Sequence, residues 1–168
     1  GNCSRSMETY LICLCLRKQG YGYGNHRIPH LRTFIYLSFL SRIMLTILIP
    51  VYNEEQIIVK NTKKLIDFLK NSKIIYELIL CNNGSTDNTL MLAKQLAKRY
   101  KRIRVISVPK KGVGTVFKKA VKLAKYNNLI SQDMDLSTDL HFIIKATKLL
   151  KEYDIIIGSK KMGSQKRA

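Results

Sequence analysis

Asp133 and Asp135 are separated by one residue in the segment Gln132-Asp133-Met134-Asp135-Leu136-Ser137, which directly follows a short apolar run. Strand side chains alternate between faces, so in a regular strand both carboxylates point the same way. Two acids on one face repel each other unless a positive charge lies between them. A hard divalent cation relieves that repulsion when one or two carboxylates hold it and water and phosphate oxygens complete its shell. The pair therefore suggests a metal bound together with a phosphorylated ligand. A solvated turn or helix cap that happens to carry two acids is the plainer alternative. The elements around the pair bear on the choice.

From Met44 onward, strand-like and helix-like segments alternate. Residues 45–51 form a near-continuous apolar run, as expected of a strand buried on both faces. Residues 54–69 carry an apolar stripe at Ile57, Ile58, Leu65, Ile66 and Leu69 with helical spacing. Glu54 and Glu55 at its start suit the positive end of a helix dipole. Further strands are expected at 76–81, 103–108, 128–132 and 154–157, and further helices at 87–100, 114–126 and 140–152. This alternation predicts an α/β domain with a mainly parallel sheet and helices on both faces. In such sheets, ligands bind beyond the carboxyl ends of the strands.

Four loops emerge at that edge. They are Pro50-Val51-Tyr52-Asn53-Glu54-Glu55, Asn82-Asn83-Gly84-Ser85-Thr86-Asp87-Asn88-Thr89, Lys110-Lys111-Gly112-Val113-Gly114 and Asp133-Met134-Asp135. Taken singly, Asn53, Ser85 and Thr86 read as helix caps and the glycines as turn residues. Taken together on one edge, the loops favour a ligand site. The glycine loop lacks the G-x-x-x-x-G-K-[ST] pattern, and the chain lacks a G-x-G-x-x-G with its downstream acid. ATPase and dinucleotide-dehydrogenase readings are therefore poor.

Residues 44–164 resemble family 2 glycosyltransferases of the GT-A fold, a Rossmann-like nucleotide-sugar-binding architecture. The similarity looks closest to the dolichyl-phosphate mannose and glucose synthase branch. The matching segments occur in order. Ile49 to Glu55 matches the opening strand motif, and Asn82 to Thr89 matches the family's D-D-G-S-x-D. Lys111 to Thr115 follows, then Asp133 to Ser137 for D-A-D-L-S, and Ile157 to Lys160 for G-S-R. The resemblance implies that a nucleotide sugar of the UDP-glucose or GDP-mannose type binds across the first half of the sheet. Its implied contacts are Pro50, Tyr52, Asn53, Glu54, Asn82, Asn83, Ser85, Lys111, Gly112, Asp133, Met134 and Asp135. Asp133 and Asp135 are the implied catalytic pair, with Asp135 reaching the diphosphate through Mg²⁺ or Mn²⁺. The implied reaction is a single inverting displacement by a polyprenyl-phosphate oxygen. Lys111 or Lys160 is placed to offset phosphate charge. A degenerate, non-catalytic domain that binds a nucleotide sugar or a partner chain is the alternative.

Two features depart from the family pattern. The paired aspartates before Gly-Ser are Asn82 and Asn83 here. An amide keeps a carbonyl acceptor for a base N–H but loses the charge. The sequence also ends just past Gly158-Ser159-Lys160, where the family continues into an acceptor-binding part, so residues 44–168 are expected to be a donor-binding domain.

Residues 1–43 read differently and are taken as an N-terminal extension. They hold Cys3, Cys13 and Cys15 and the run Gly20-Tyr21-Gly22-Tyr23-Gly24. The apolar stretch Phe34 to Leu40 is far shorter than the roughly 20 residues a bilayer-spanning helix needs. Because the core pattern begins at Leu45, removing the extension is expected to leave the fold intact. The alternative is an arm packed on the domain or on a membrane. The cysteine spacing fits neither a zinc site nor a disulfide framework, and Cys81 reads as a small buried apolar residue. A reducing compartment follows, hence the cytoplasm or the cytoplasmic face of a membrane, with peripheral membrane contact.

Lys and Arg number 30 against 11 Asp and Glu, a net charge of +19, which favours anionic partners. Nucleic acid is not among those expected, because no recognition motif or aromatic stacking platform accompanies the charge.

Overall fold

The computed structural model describes the backbone of residues 14–17 and residues 43–158 in full. Six strands form one sheet: β1 (Leu14–Arg17), β2 (Met44–Val51), β3 (Ile75–Asn83), β4 (Ile103–Val108), β5 (Asn128–Ser131) and β6 (Ile155–Ile157). Four helices join them: α1 (Ile58–Asn71), α2 (Thr89–Arg99), α3 (Val113–Leu123) and α4 (His141–Leu149). The strand order is β4-β3-β2-β5-β1-β6. β2 pairs in parallel with β3 and β5, and β3 in parallel with β4. β1 runs antiparallel to both neighbours. The result is the expected α/β domain with a mainly parallel sheet.

The apolar runs explain the layering. On one face of the sheet, Leu45, Ile47, Ile49, Leu78 and Leu80 pack with Ile58 and Leu65 of α1, Ala93 and Leu96 of α2 and Ile143 of α4. On the other, Leu48, Ile79, Cys81 and Ile106 pack with Val116 and Ala120 of α3. The alternation of side chains along a strand produces this division, and burial of both sets explains why β2 and β3 read as continuous apolar runs. Cys81 is wholly buried, and burial pushes its thiol up to about 12.

Several boundaries differ from the periodicity. β3 runs on through Asn82 and Asn83, so these residues belong to the strand and not to the loop. Their buried positions and pairing with Ser107 and Val108 keep them extended. α1 starts at Ile58, after a turn in which the Glu54 carbonyl accepts the N–H groups of Ile57 and Ile58. Glu54 and Glu55 thus precede the helix and leave its first turn without acids. α3 ends at Leu123, three residues short of Tyr126, because the chain turns extended at Ala124 and the N–H groups of Lys125 and Tyr126 donate to Glu77 and Thr46. Pro50 is tolerated in central β2 because its side of the strand faces β5. The last bond there joins the Gln132 N–H to the Leu48 carbonyl, below the level of Pro50.

The expected extension contributes β1, which lies between β5 and β6. Cys15 is opposite Ile130 on one side and Ile156 on the other. β6 pairs with no other strand among the described residues.

Candidate functional site

Three of the four predicted loops are tied to each other by hydrogen bonds at the carboxyl edge of the sheet. The loop after β2 is laced to the loop after β3. Asn53 N–H donates to Ser85 Oγ at 3.1 Å, and Thr86 N–H donates to Asn53 Oδ1 at 2.9 Å. Glu54 N–H donates to Thr89 Oγ1 at 2.7 Å, and Asn88 N–H donates to Glu55 Oε2 at 3.0 Å. Asp87 accepts from Glu55 N–H at 3.2 Å and from Thr89 N–H at 3.0 Å. Desolvation works against ionisation of Asp87, but the bonds from Thr89 and Glu55 outweigh it and hold its carboxyl below the usual range. Asn53 pays for its place with a left-handed φ of 54°, a conformation that Asn tolerates better than most residues.

The loop before α3 is clamped in turn. Gly112 N–H donates to Asn83 Oδ1 at 2.6 Å. Gly84, with φ of 72°, comes so close that a Cβ there would sit 2.9 Å from the backbone nitrogen of Lys111. Lys111 Nζ lies 4.2 Å from the ring centroid of Tyr52, a cation–π contact. Asn82 Nδ2 donates to Ser107 Oγ at 2.9 Å, and its own carbonyl oxygen is buried with no hydrogen-bond partner.

The acids come from a turn rather than from the strand. β5 stops at Ser131, two residues before Asp133. Leu136 N–H donates to the Asp133 carbonyl at 3.2 Å, and Leu136 has a φ of 53°. The expectation of a shared strand face is therefore replaced by a turn that is pinned at its middle. Met134 is buried in the core and its carbonyl accepts from Asn61 Nδ2 of α1 at 2.9 Å, while Asp133 is half-buried and Asp135 exposed. Asp135 Oδ1 accepts one N–H, from Ser137 at 2.9 Å.

Glu54 links this turn to the loop after β2. Its carboxyl is pushed above the usual value, first by burial and then by the negative charges of Asp135, Asp87 and Asp133. Four carboxylates thus share one electrostatic neighbourhood. Among the described residues, no three His, Cys, Asp or Glu side chains converge as a ready-made metal cage. One or two carboxylates with the remaining positions open is the arrangement a Mg²⁺-type ion uses when phosphates supply its other ligands. The chemistry of the donor set therefore fits such an ion.

Most of the sequence-predicted residues are brought to this edge. Tyr52, Asn53, Glu54, Asn83, Ser85, Lys111 and Gly112 join through the contacts above, and Pro50 and Asn82 sit at the ends of their strands. Met134 is an anchor, buried away from the loops' exposed side. Lys160 and Ser159 lie outside the described residues. Sequence reasoning missed Asn61 and Ser107. A polar residue next to the apolar stripe of α1, and a serine level with Asn82 across the sheet, were the only signals.

The sequence profile described as glycosyl transferase family 2 matches residues 46–167. The chain belongs to this family. It is 33% identical to the hyaluronan synthase of Pasteurella multocida over 90 residues, which are 52% of this chain and 9% of that protein. It is 32% identical over 124 residues to an uncharacterised glycosyltransferase of Synechocystis, covering 71% of this chain and 38% of the relative. Among solved structures, a mannosyltransferase of Pyrobaculum calidifontis in complex with GDP-Man and Mn²⁺ superposes with a TM-score of 0.55 at 19% identity, over 66% of this chain and 33% of the other. Glucosyl-3-phosphoglycerate synthase of Mycobacterium tuberculosis, in complex with Mn²⁺, UDP and glucosyl-3-phosphoglycerate, superposes with a TM-score of 0.51 at 22% identity, over 76% and 46%. These structures share the GT-A-like fold of this glycosyltransferase domain. The chain spans less than half the length of each of these proteins. No helix among the described residues is long and apolar enough to cross a membrane.

Proposed function

We propose that this family 2 domain binds a nucleoside diphosphate sugar with a divalent cation at the carboxyl edge of its sheet, in an enzyme that transfers the hexose with inversion. The observation that carries the reading is the convergence of the Asp133–Asp135 turn, Glu54 and the clamped Lys111–Gly112 loop on one edge. Asp135, exposed and accepting a single N–H, would hold Mg²⁺ or Mn²⁺, with Asp133 beside it. When bound, the ion would neutralise charge building on the leaving diphosphate, the Lewis-acid role.

The chain's own residues supply the rest. Asn82 offers a buried carbonyl acceptor for a base N–H, oriented by its bond to Ser107. Asn83 holds the Gly112 backbone, so it positions the phosphate-side loop instead of contacting the base. Lys111 lies across Tyr52, close to where phosphate charge would sit. Tyr52, Asn53 and Ser85 shape the wall between the first two loops. The likeness of these motifs to the dolichyl-phosphate sugar synthase branch supports a polyprenyl phosphate as acceptor. A phosphate nucleophile is ionised at neutral pH, so the site needs no strong general base. Such an acceptor implies contact with the cytoplasmic face of a membrane.

A second reading, donor binding without transfer, rests on the neutral amides Asn82 and Asn83. Titration calorimetry with UDP-glucose and GDP-mannose, each with and without Mn²⁺, tests the binding step. Saturable, Mn²⁺-dependent binding of one donor is expected, and binding of neither would sink the proposal. Release of radiolabelled sugar to a polyprenyl phosphate then separates transfer from binding alone.

A further inference from the structure

At the opposite end of the sheet, the carboxyl ends of α1 and α2 and the first residues of β3 and β4 enclose a cleft of about 330 Å³. Its polar lining is Lys70, Arg99, Lys101 and Arg102, set around Tyr76 and Tyr100. Tyr76 and the Asn83 clamp are seven residues apart on β3, so the cleft lies roughly 20 Å from the carboxyl edge.

The cations are not explained by their neighbours. Of the arginines whose side chains are described, Arg104 is paired with Glu77 at 3.4 Å. Arg99 and Arg102 have no acidic partner among the described residues. Lys70 pairs with Asp67 at 3.1 Å. Helix C-termini attract cations, which accounts for Lys70 and Arg99 in the last turns of α1 and α2. It does not account for Lys101 and Arg102, which lie past the end of α2.

Both arginines lie beside an aromatic ring. The Arg102 guanidinium lies 4.9 Å from the centroid of Tyr76, a buried ring, and that of Arg99 lies 5.7 Å from the centroid of Tyr100. A cation–π contact leaves the guanidinium N–H donors that are not turned to the ring open to a ligand. Those donors form the fork that grips phosphate oxygens in pairs.

We propose that this cleft is a second anion site, built for a ligand that carries a phosphate or diphosphate group and independent of the donor site at the carboxyl edge. The group would sit between the Arg99 and Arg102 forks with Lys101 beside it. The ligand is either a soluble phosphate ester or an anionic lipid headgroup.

The full chain is titrated with inorganic pyrophosphate by calorimetry, in buffer containing EDTA so that metal-dependent donor binding is suppressed. The double substitution Arg99→Gln/Arg102→Gln is expected to weaken binding at least tenfold. The charge-matched pair Lys94→Gln/Lys119→Gln, on exposed faces of α2 and α3, is expected to change it less than twofold. Circular-dichroism melting verifies that each variant folds. Co-sedimentation with phosphatidylcholine vesicles, with and without phosphatidic acid, separates the sources. Arg99/Arg102-dependent co-sedimentation identifies a lipid headgroup, and pyrophosphate binding without it identifies a soluble ester. Equal losses in the two double variants, or no arginine-dependent binding in either arm, would overturn the site.

Discussion

Glu77 and Asp135 are both carboxylates on this sheet, and their surroundings are opposite. Glu77 is buried in β3, 5% exposed, and accepts from Thr46 Oγ1 at 2.8 Å, from Arg104 Nη1 at 3.4 Å and from the Lys125 N–H. Arg104 also donates to the Leu123 carbonyl at 2.7 Å. This network joins β2, β3 and β4 to the end of α3, and every oxygen of Glu77 is engaged. Asp135 is exposed, accepts one N–H, and shares its surroundings with three other acids. A buried charge must be paired, because its desolvation cost is otherwise uncompensated. An exposed acid among acids has no such compensation and gains most from a cation. On the proposed function, the number of donors around each carboxylate distinguishes the acid that holds the fold, Glu77, from the acid that would take a cation, Asp135.

The largest expected effect breaks the Glu77 side of this comparison. Glu77→Ala leaves Arg104, Thr46 and the Lys125 N–H without their acceptor, and should cost about 2–4 kcal/mol in urea denaturation. Donor affinity of the molecules that remain folded should be unchanged. A loss below 1 kcal/mol would mean that water replaces the network.

Asp135→Ala should do the reverse. It should weaken Mn²⁺-dependent donor binding by tenfold or more while moving stability by no more than about 0.5 kcal/mol, as surface substitutions do. Equal donor affinities for the two proteins in Mn²⁺ would remove Asp135 from the metal site.

Gly84→Ala tests the clamp between the loops. Its φ of 72° and the 2.9 Å approach to the Lys111 backbone should together cost about 1–2 kcal/mol and displace the Lys110–Gly112 loop. Thermal melting and donor titration should both register it.

Removing residues 1–43 should act unevenly. Amide exchange should accelerate at residues 155–157, which lose their β1 partners, and remain slow in β2 and β3. Uniform loss of protection would mean that β1 supports the whole sheet.

The smallest effect concerns Glu54. Its raised pKa means that ionising it in the folded state is unfavourable, so its contribution is most favourable at low pH and falls as pH rises from the unfolded value through the folded one. Asp135→Asn removes one of the charges that raise it. The Glu54 carboxyl, followed by NMR titration, should then move down towards its ordinary value, and adding Mn²⁺ to the unaltered protein should move it the same way. No movement in either case would show that burial alone sets it.

The sequence by itself determined the elements and their edge. Short apolar runs alternating with stripes of 3.6-residue period placed every strand from Met44 onward and every helix to within a few residues, because burial on both sheet faces writes continuous apolar runs into a chain. The loop residues Asn53, Ser85, Gly112 and the Asp133–Asp135 pair were legible because polar and glycine residues break those runs at one end of each strand. Only the tertiary structure decided which polar groups meet. No local pattern tells that Asn83 is spent on Gly112, that Asn82 leans on Ser107, or that Met134 is pulled into the core to set the acids in a turn. The early end of α3 was equally hidden, since its cause is an acceptor on β3, far away in sequence. So was β1, whose four residues carry no amphipathic signal and take their place by filling the space between β5 and β6. Period is a property of neighbours along the chain, whereas a hydrogen-bond partner is chosen by the packing of distant segments.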